Sequence, residues 1–133
     1  MTPEAKVKNK VHKALAKRKA YAVNYIGGLY ANTGTPDVLA CIDSRFIGIE
    51  VKAGKNKPTE IQISNLRKIH AAQGLALVIN ESNLDYLEEC LDDIHTARSN
   101  HELFAKTQAE ADKEQRARDK RKAAQAASVR EED

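Results

Sequence analysis

The chain has 133 residues, with 41% hydrophobic residues, four Tyr, two Phe and no Trp, which sets the expectation of one domain around one modest core. Lys and Arg number 22 against 19 Asp and Glu, a formal net charge of +3 that is too small to demand a polyanionic partner. No apolar run approaches the ~20 residues needed to cross a bilayer, and the Lys-rich start lacks the apolar centre of a secretory signal. The expectation is a soluble cytoplasmic protein with no membrane association.

Charge is distributed unevenly. Up to Lys19 the basic residues are Lys6, Lys8, Lys10, Lys13, Lys17, Arg18 and Lys19, and the only acid is Glu4. Such a segment attracts a phosphate backbone. Thr2-Pro3-Glu4 reads as a helix start, with Thr2 as cap, Pro3 in the first turn and Glu4 at the positive end of the dipole. The helix is predicted to reach about Lys19. Val7, Val11 and Leu15 fall on one arc of roughly 80° at about 100° per residue, and Glu4 falls on the same arc, an odd place for a carboxylate without a partner.

"AYAVNYI" (20–26) reads as a strand and "GGLYANTGTP" as a loop. Two strands follow, 37–42 and 45–52, joined by Asp43-Ser44 as a tight hairpin. In the second, Ile47, Ile49 and Val51 face one side, while Phe46, Gly48, Glu50 and Lys52 face the other. Thr59 and Gln62 have the spacing of a capping box that opens a helix to about Gln73, with Ile63, Leu66 and Ile69 on its inner stripe and Gly74 as its stop. "LALVIN" (75–80) reads as a strand buried on both faces. Leu84, Leu87, Leu91 and Ile94 mark another amphipathic helix.

The order is helix, three strands, helix, strand, helix: an α/β fold with a mixed central sheet flanked by helices. The domain is expected to span 1–98. The remainder, 99–133, is read as a charged helical or disordered tail with almost nothing apolar to bury. Its cluster of Arg116, Arg118, Lys120, Arg121 and Lys122 is a possible nucleic-acid contact, interrupted by Asp119. Cys41 and Cys90 lie apart within apolar runs and are expected to be buried free thiols. Cys90, His95 and His101 match no zinc spacing.

An aspartate opening one strand and a glutamate near the end of its neighbour can converge, since paired strands lie about 5 Å apart. Two carboxylates suit Mg²⁺, which keeps several waters. A lysine on the same face can orient water and offset charge on a phosphate. Asp37, Glu50 and Lys52 thus form a candidate site for metal-assisted attack of water on a phosphodiester. The plainer alternative makes Asp37 a turn cap after Pro36, and Glu50 with Lys52 an exposed ion pair.

Gly34-x-Pro36-Asp37, then Glu50-Val51-Lys52, then Thr59-x-x-Gln62 and the strand after Gly74 resemble the PD-(D/E)XK nuclease superfamily, and within it the small stand-alone VRR-NUC domains of phages and bacteria. The resemblance covers roughly residues 1–95. It implies a restriction-endonuclease-like core (αβββαβ) and a Mg²⁺- or Mn²⁺-dependent DNA endonuclease without an organic cofactor. Asp37 and Glu50 would be metal ligands, the Val51 backbone carbonyl a possible third, and Lys52 the catalytic lysine. Gln62 would reach the site from its helix, although it also fits a capping box, and Glu4 would help hold metal from the first helix. The resemblance further implies a homodimer acting on branched DNA in the manner of a Holliday junction resolvase, in a bacterium or phage-infected cell. Lys6, Lys10, Lys13, Lys55 and Lys57 are candidate phosphate contacts, and Tyr25 and Tyr30 candidate stacking platforms. A site-specific restriction-type nuclease and a catalytically silent nucleic-acid-binding scaffold are the alternatives.

Overall fold

The computed structural model describes residues 1–27 and 33–132. Helix α1 (Pro3–Lys17) begins where its sequence marks a start: the Thr2 hydroxyl accepts from the Ala5 N–H at 3.1 Å, with Pro3 and Glu4 in the first turn. Three strands follow, β1 (Tyr21–Asn24), β2 (Val38–Ile42) and β3 (Arg45–Val51). Asp43 and Ser44 both adopt positive φ, 47° and 70°, the twist-compatible combination of a type I′ hairpin even without the usual glycine. Helix α2 (Glu60–Ala71) opens on a complete capping box, in which Gln62 N–H donates to the Thr59 hydroxyl and Thr59 N–H to the Gln62 side chain. It leads to β4 (Leu75–Ile79) and helix α3 (Leu84–Asp92).

The sheet has four strands in the order β1-β2-β3-β4. The first two pairings are antiparallel, and β3 with β4 is parallel because α2 crosses over between them. Side-chain alternation divides the apolar residues between two faces. On one, Val7, Val11 and Leu15 of α1 and Leu87 and Leu91 of α3 pack on Ile47, Ile49, Val51, Leu75, Leu77 and Ile79. On the other, Ile63 and Leu66 of α2 pack on Ala76 and Val78. Arg18 ties the end of α1 to α3 through Asp92 (2.8 Å) and Glu88 (3.4 Å). The result is a mixed α/β fold.

Packing continues past the boundary expected at residue 98. Beyond β4, the Asn100 side chain takes the position a further strand would occupy: its Oδ1 accepts from Val78 N–H at 2.7 Å, and its Nδ2 donates to the Val78 carbonyl at 3.0 Å. Ala76 is served in the same way by Ser99 Oγ (2.9 Å) and by the Asn100 N–H (3.1 Å). This closes an edge that would otherwise invite pairing with another chain. A short 3-10 turn (His101–Phe104) then brings Phe104 and Ala105 against the α2 face.

From Gln108 to Glu132 the charged tail is one helix, α4. None of its described side chains is buried. Its start is fixed by Thr107 and Glu110, which bond reciprocally at 2.7 and 3.2 Å, a second capping box. Its surface is laced by pairs four residues apart: Gln108 with Asp112, Glu114 with Arg118 and Gln115 with Asp119. Among the described residues no helix is long and apolar enough to cross a membrane.

Two local expectations are corrected. Both cysteines are free, but Cys41 is exposed; it lies near the β2–β3 turn, between exposed Tyr21 and Phe46, where the covering helices do not reach. At the end of α2 the left-handed residue is Gln73, with φ of 70°, rather than Gly74. Gly74 serves packing instead, since a Cβ there would lie 2.7 Å from Ile69 Cγ2.

Candidate active site

The site lies where β2 begins and β3 ends. Val38 pairs with Ile49, and one further step along the same register sets Asp37 opposite Glu50. Like charges directly across a ladder repel, so this arrangement opposes stability. Asp37 is held from two sides: its carbonyl accepts from Tyr25 N–H at 2.8 Å, and its Oδ2 accepts from Val51 N–H at 2.9 Å.

Glu50 is 1% exposed, and its Oε2 has no hydrogen-bond partner. Its Oε1 stands 3.6 Å from Lys52 Nζ, beyond hydrogen-bonding distance. Burial, and then the negative charge of Asp37, push the Glu50 carboxyl up to about 8, opposed by Lys52 and reinforced by Glu4. An exposed surface pair would have neither the burial nor this shift. Lys52 is largely buried too, with 16% of its side chain exposed.

Two glycines let the frame close around these groups. Gly34 has φ of +81°, and a Cβ there would stand 2.9 Å from both the Ile61 carbonyl and the Asn65 amide nitrogen. A Cβ on Gly48 would meet Ile69 Cδ1 at 2.4 Å and Pro36 Cγ at 3.2 Å. The segment leading into Asp37 is thereby pressed against α2. Asn65 fastens it further by donating to the Thr33 carbonyl at 3.2 Å. Sequence reasoning missed Asn65; its only signal is a short amide placed one turn beyond Gln62. Beyond Lys52, the Gly54 N–H donates to the Glu81 carboxylate, which anchors the outgoing loop to the β4–α3 connection.

The remaining candidates are placed as follows. Glu4 is exposed in the first turn of α1, one turn before Val7, and reaches Glu50 through its charge. The Gln62 carbonyl oxygen is engaged by Thr59 N–H at 2.9 Å. Val51 is fully buried. Lys6, Lys10 and Lys13 are exposed on α1, and Lys55 and Lys57 in the loop after the site. Lys57 lies 3.2 Å from Glu110 of α4. Tyr25 is half-buried; Tyr30 lies outside the described residues.

Among the described residues no three His, Cys, Asp or Glu side chains form a ready-made metal cage. A hard divalent cation that keeps its own waters asks for less, one or two carboxylates. Glu50 supplies the fit: a buried carboxylate oxygen without a partner, beside a second carboxylate, lacks the positive charge that would make it comfortable as an anion. Asp37, Glu50 and Lys52 therefore meet at one end of the sheet, with Glu4 acting from its margin. Comparison with protein-family models and with curated proteins finds no match.

Proposed function

We propose that the chain is a divalent-metal-dependent DNA endonuclease with a restriction-endonuclease-like core, in which Asp37, Glu50 and Lys52 are the catalytic residues. The observation that carries this reading is the buried, unpartnered Glu50 oxygen set across the ladder from Asp37. Proteins seldom bury such a group without use for it.

Asp37 and Glu50 would hold Mg²⁺ or Mn²⁺, with the Val51 carbonyl and Glu4 as additional donors. When bound, the metal supplies Lewis-acid polarisation of the phosphate and a more acidic water. Glu50 must release its carboxyl proton to take part, so the site assembles more readily as pH rises toward 8. Asp37 Oδ2 is oriented by the Val51 N–H, which fixes the direction of its other oxygen. Lys52 offsets the negative charge that grows on the phosphate and orients the attacking water. Gln62 adds a polar group at the start of α2. Lys6, Lys10 and Lys13, with Lys55 and Lys57, would hold the phosphate backbone on either side. For the family it resembles, the substrate is branched DNA, and a two-fold dimer would present two sites to a four-way junction.

The test is cleavage of labelled four-way junctions, flaps, linear duplex and single strands with Mg²⁺, Mn²⁺ or chelator. Metal-dependent cutting that Asp37→Ala and Glu50→Gln abolish is expected, with sedimentation reporting a dimer. Metal-independent cutting, or full activity in Asp37→Ala, sinks the mechanism. Tight binding without cleavage would identify a silent binding module, and discrete fragments from an unmethylated plasmid a restriction-type nuclease.

A further inference from the structure

The loop that leaves Lys52 runs beside the first turns of α4, and between them lies an open groove of about 510 Å³. Lys55, Lys57, Lys106 and Lys113 line it, together with Glu110 and Glu114. The glutamates do not merely dilute the charge. Glu110 lies 3.2 Å from Lys57 Nζ, and Glu114 is paired with both Lys106 and Arg118. The helix bonds at Thr107 and then Lys57 hold the Glu110 carboxyl below its usual range, and Lys106 and Arg118 do the same for Glu114. Both are anions at neutral pH.

We propose that this groove is a track for the nucleic-acid backbone leaving the site, and that Glu110 and Glu114 occupy it in the free protein as stand-ins for two phosphates. Lys55 lies three residues beyond Lys52, at most about 10 Å along the chain, within a few nucleotides at about 3.4 Å of rise each. A carboxylate and a phosphate oxygen offer the same cations the same charge-assisted contact. Exposed ion pairs are weak and screened by salt, so a strand delivered to Lys52 displaces the glutamates and inherits their lysines. The basic stretch Arg116 to Lys122 continues the positive surface along α4. Glu110 and Glu114 thus become an internal competitor that weakens binding to any polyanion not also held at the site.

The inference rests on reading the site as one that acts on nucleic acid, and its test is made without cleavage. Full-length protein is titrated into a labelled four-way junction and a linear duplex, with chelator, across a salt series. Glu110→Gln/Glu114→Gln keeps an acceptor for the Thr107 cap and is expected to bind about 5- to 10-fold more tightly. Lys55→Ala/Lys113→Ala is expected to flatten the slope of log affinity against log salt by about 0.9 per lysine on duplex. Either variant behaving as the parent chain overturns the inference. If the glutamine variant loses helix by circular dichroism, the lysine variant decides alone. Both shifts without cleavage under any divalent ion leave the groove standing and remove the hydrolytic reading. Cleavage that depends on Asp37, with groove variants that bind like the parent, does the reverse.

Discussion

Asp37 faces Glu50 across the β2–β3 ladder, and the Val51 N–H that follows Glu50 donates back to Asp37 at 2.9 Å. The two carboxylates are thus fixed to each other through backbone, so neither can swing away to relieve repulsion. Stability is lost where chemistry is to be done, a common trade at functional sites.

Glu50 should therefore be a pH-dependent liability in metal-free solution. Its folded-state value, about 8, lies above the ordinary 4.5, so the stability it permits is complete below about 4.5 and declines as pH rises to about 8. Glu50→Gln escapes that decline. Its melting temperature should match the parent at low pH and exceed it at pH near 8, by an amount equivalent to roughly a few kcal/mol. Mg²⁺ should raise the melting temperature of the parent at the upper pH and leave Glu50→Gln unchanged. A parent chain whose stability is flat over this range, with or without Mg²⁺, would contradict the assignment.

Asn100→Ala removes both bonds to Val78 and leaves the Val78 N–H without its partner. The expected loss is about 1–3 kcal/mol in urea unfolding. Asn100→Asp keeps the acceptor for the Val78 N–H but sets a charge against the Val78 carbonyl, and it should be the worse of the two at neutral pH. Equal stability of all three proteins would rule out the edge-closing role.

Gly34→Ala combines a left-handed backbone, φ +81°, with a contact of 2.9 Å to the Ile61 carbonyl. The conformational part alone costs about 1–2 kcal/mol. Because the same segment carries Pro36 and Asp37, residual folded protein should also cut DNA more slowly than the parent. Unchanged unfolding and unchanged cleavage would both speak against a tight seat on α2.

Gln73→Gly goes the other way. Gln73 is left-handed, φ 70°, just past the end of α2, where glycine is the favoured residue. A gain of about 0.5–1 kcal/mol is expected, with cleavage unaffected.

What the sequence disclosed follows the range of each interaction. Thr2, Thr59 and Gln62 act on neighbours three residues away, and strand alternation sorts Glu50 from Ile49 and Val51 without tertiary information, so these features were legible. The Asp43-Ser44 turn was recognisable as a hairpin, though not its two positive φ values. Glu50 was assigned to the right side of β3, but its depth was hidden, because burial there depends on α2 and on the edge strand beyond. Asn100 was invisible: its partner, Val78, lies 22 residues away, and no local pattern marks an amide that completes a sheet. The long α4 was read as helical or disordered because periodicity reports burial, and this helix is held by its cap and surface pairs.

The amide of Asn100 also sets an order of assembly. Val78 is translated well before the residue that completes it, so a nascent chain released only through α3 carries a finished hairpin beside a bare, aggregation-prone strand. Only when 99–105 emerge does the sheet acquire its border and α2 its last apolar cover. The timing of synthesis, rather than the speed of strand pairing, then governs when the protein becomes safe to leave the ribosome.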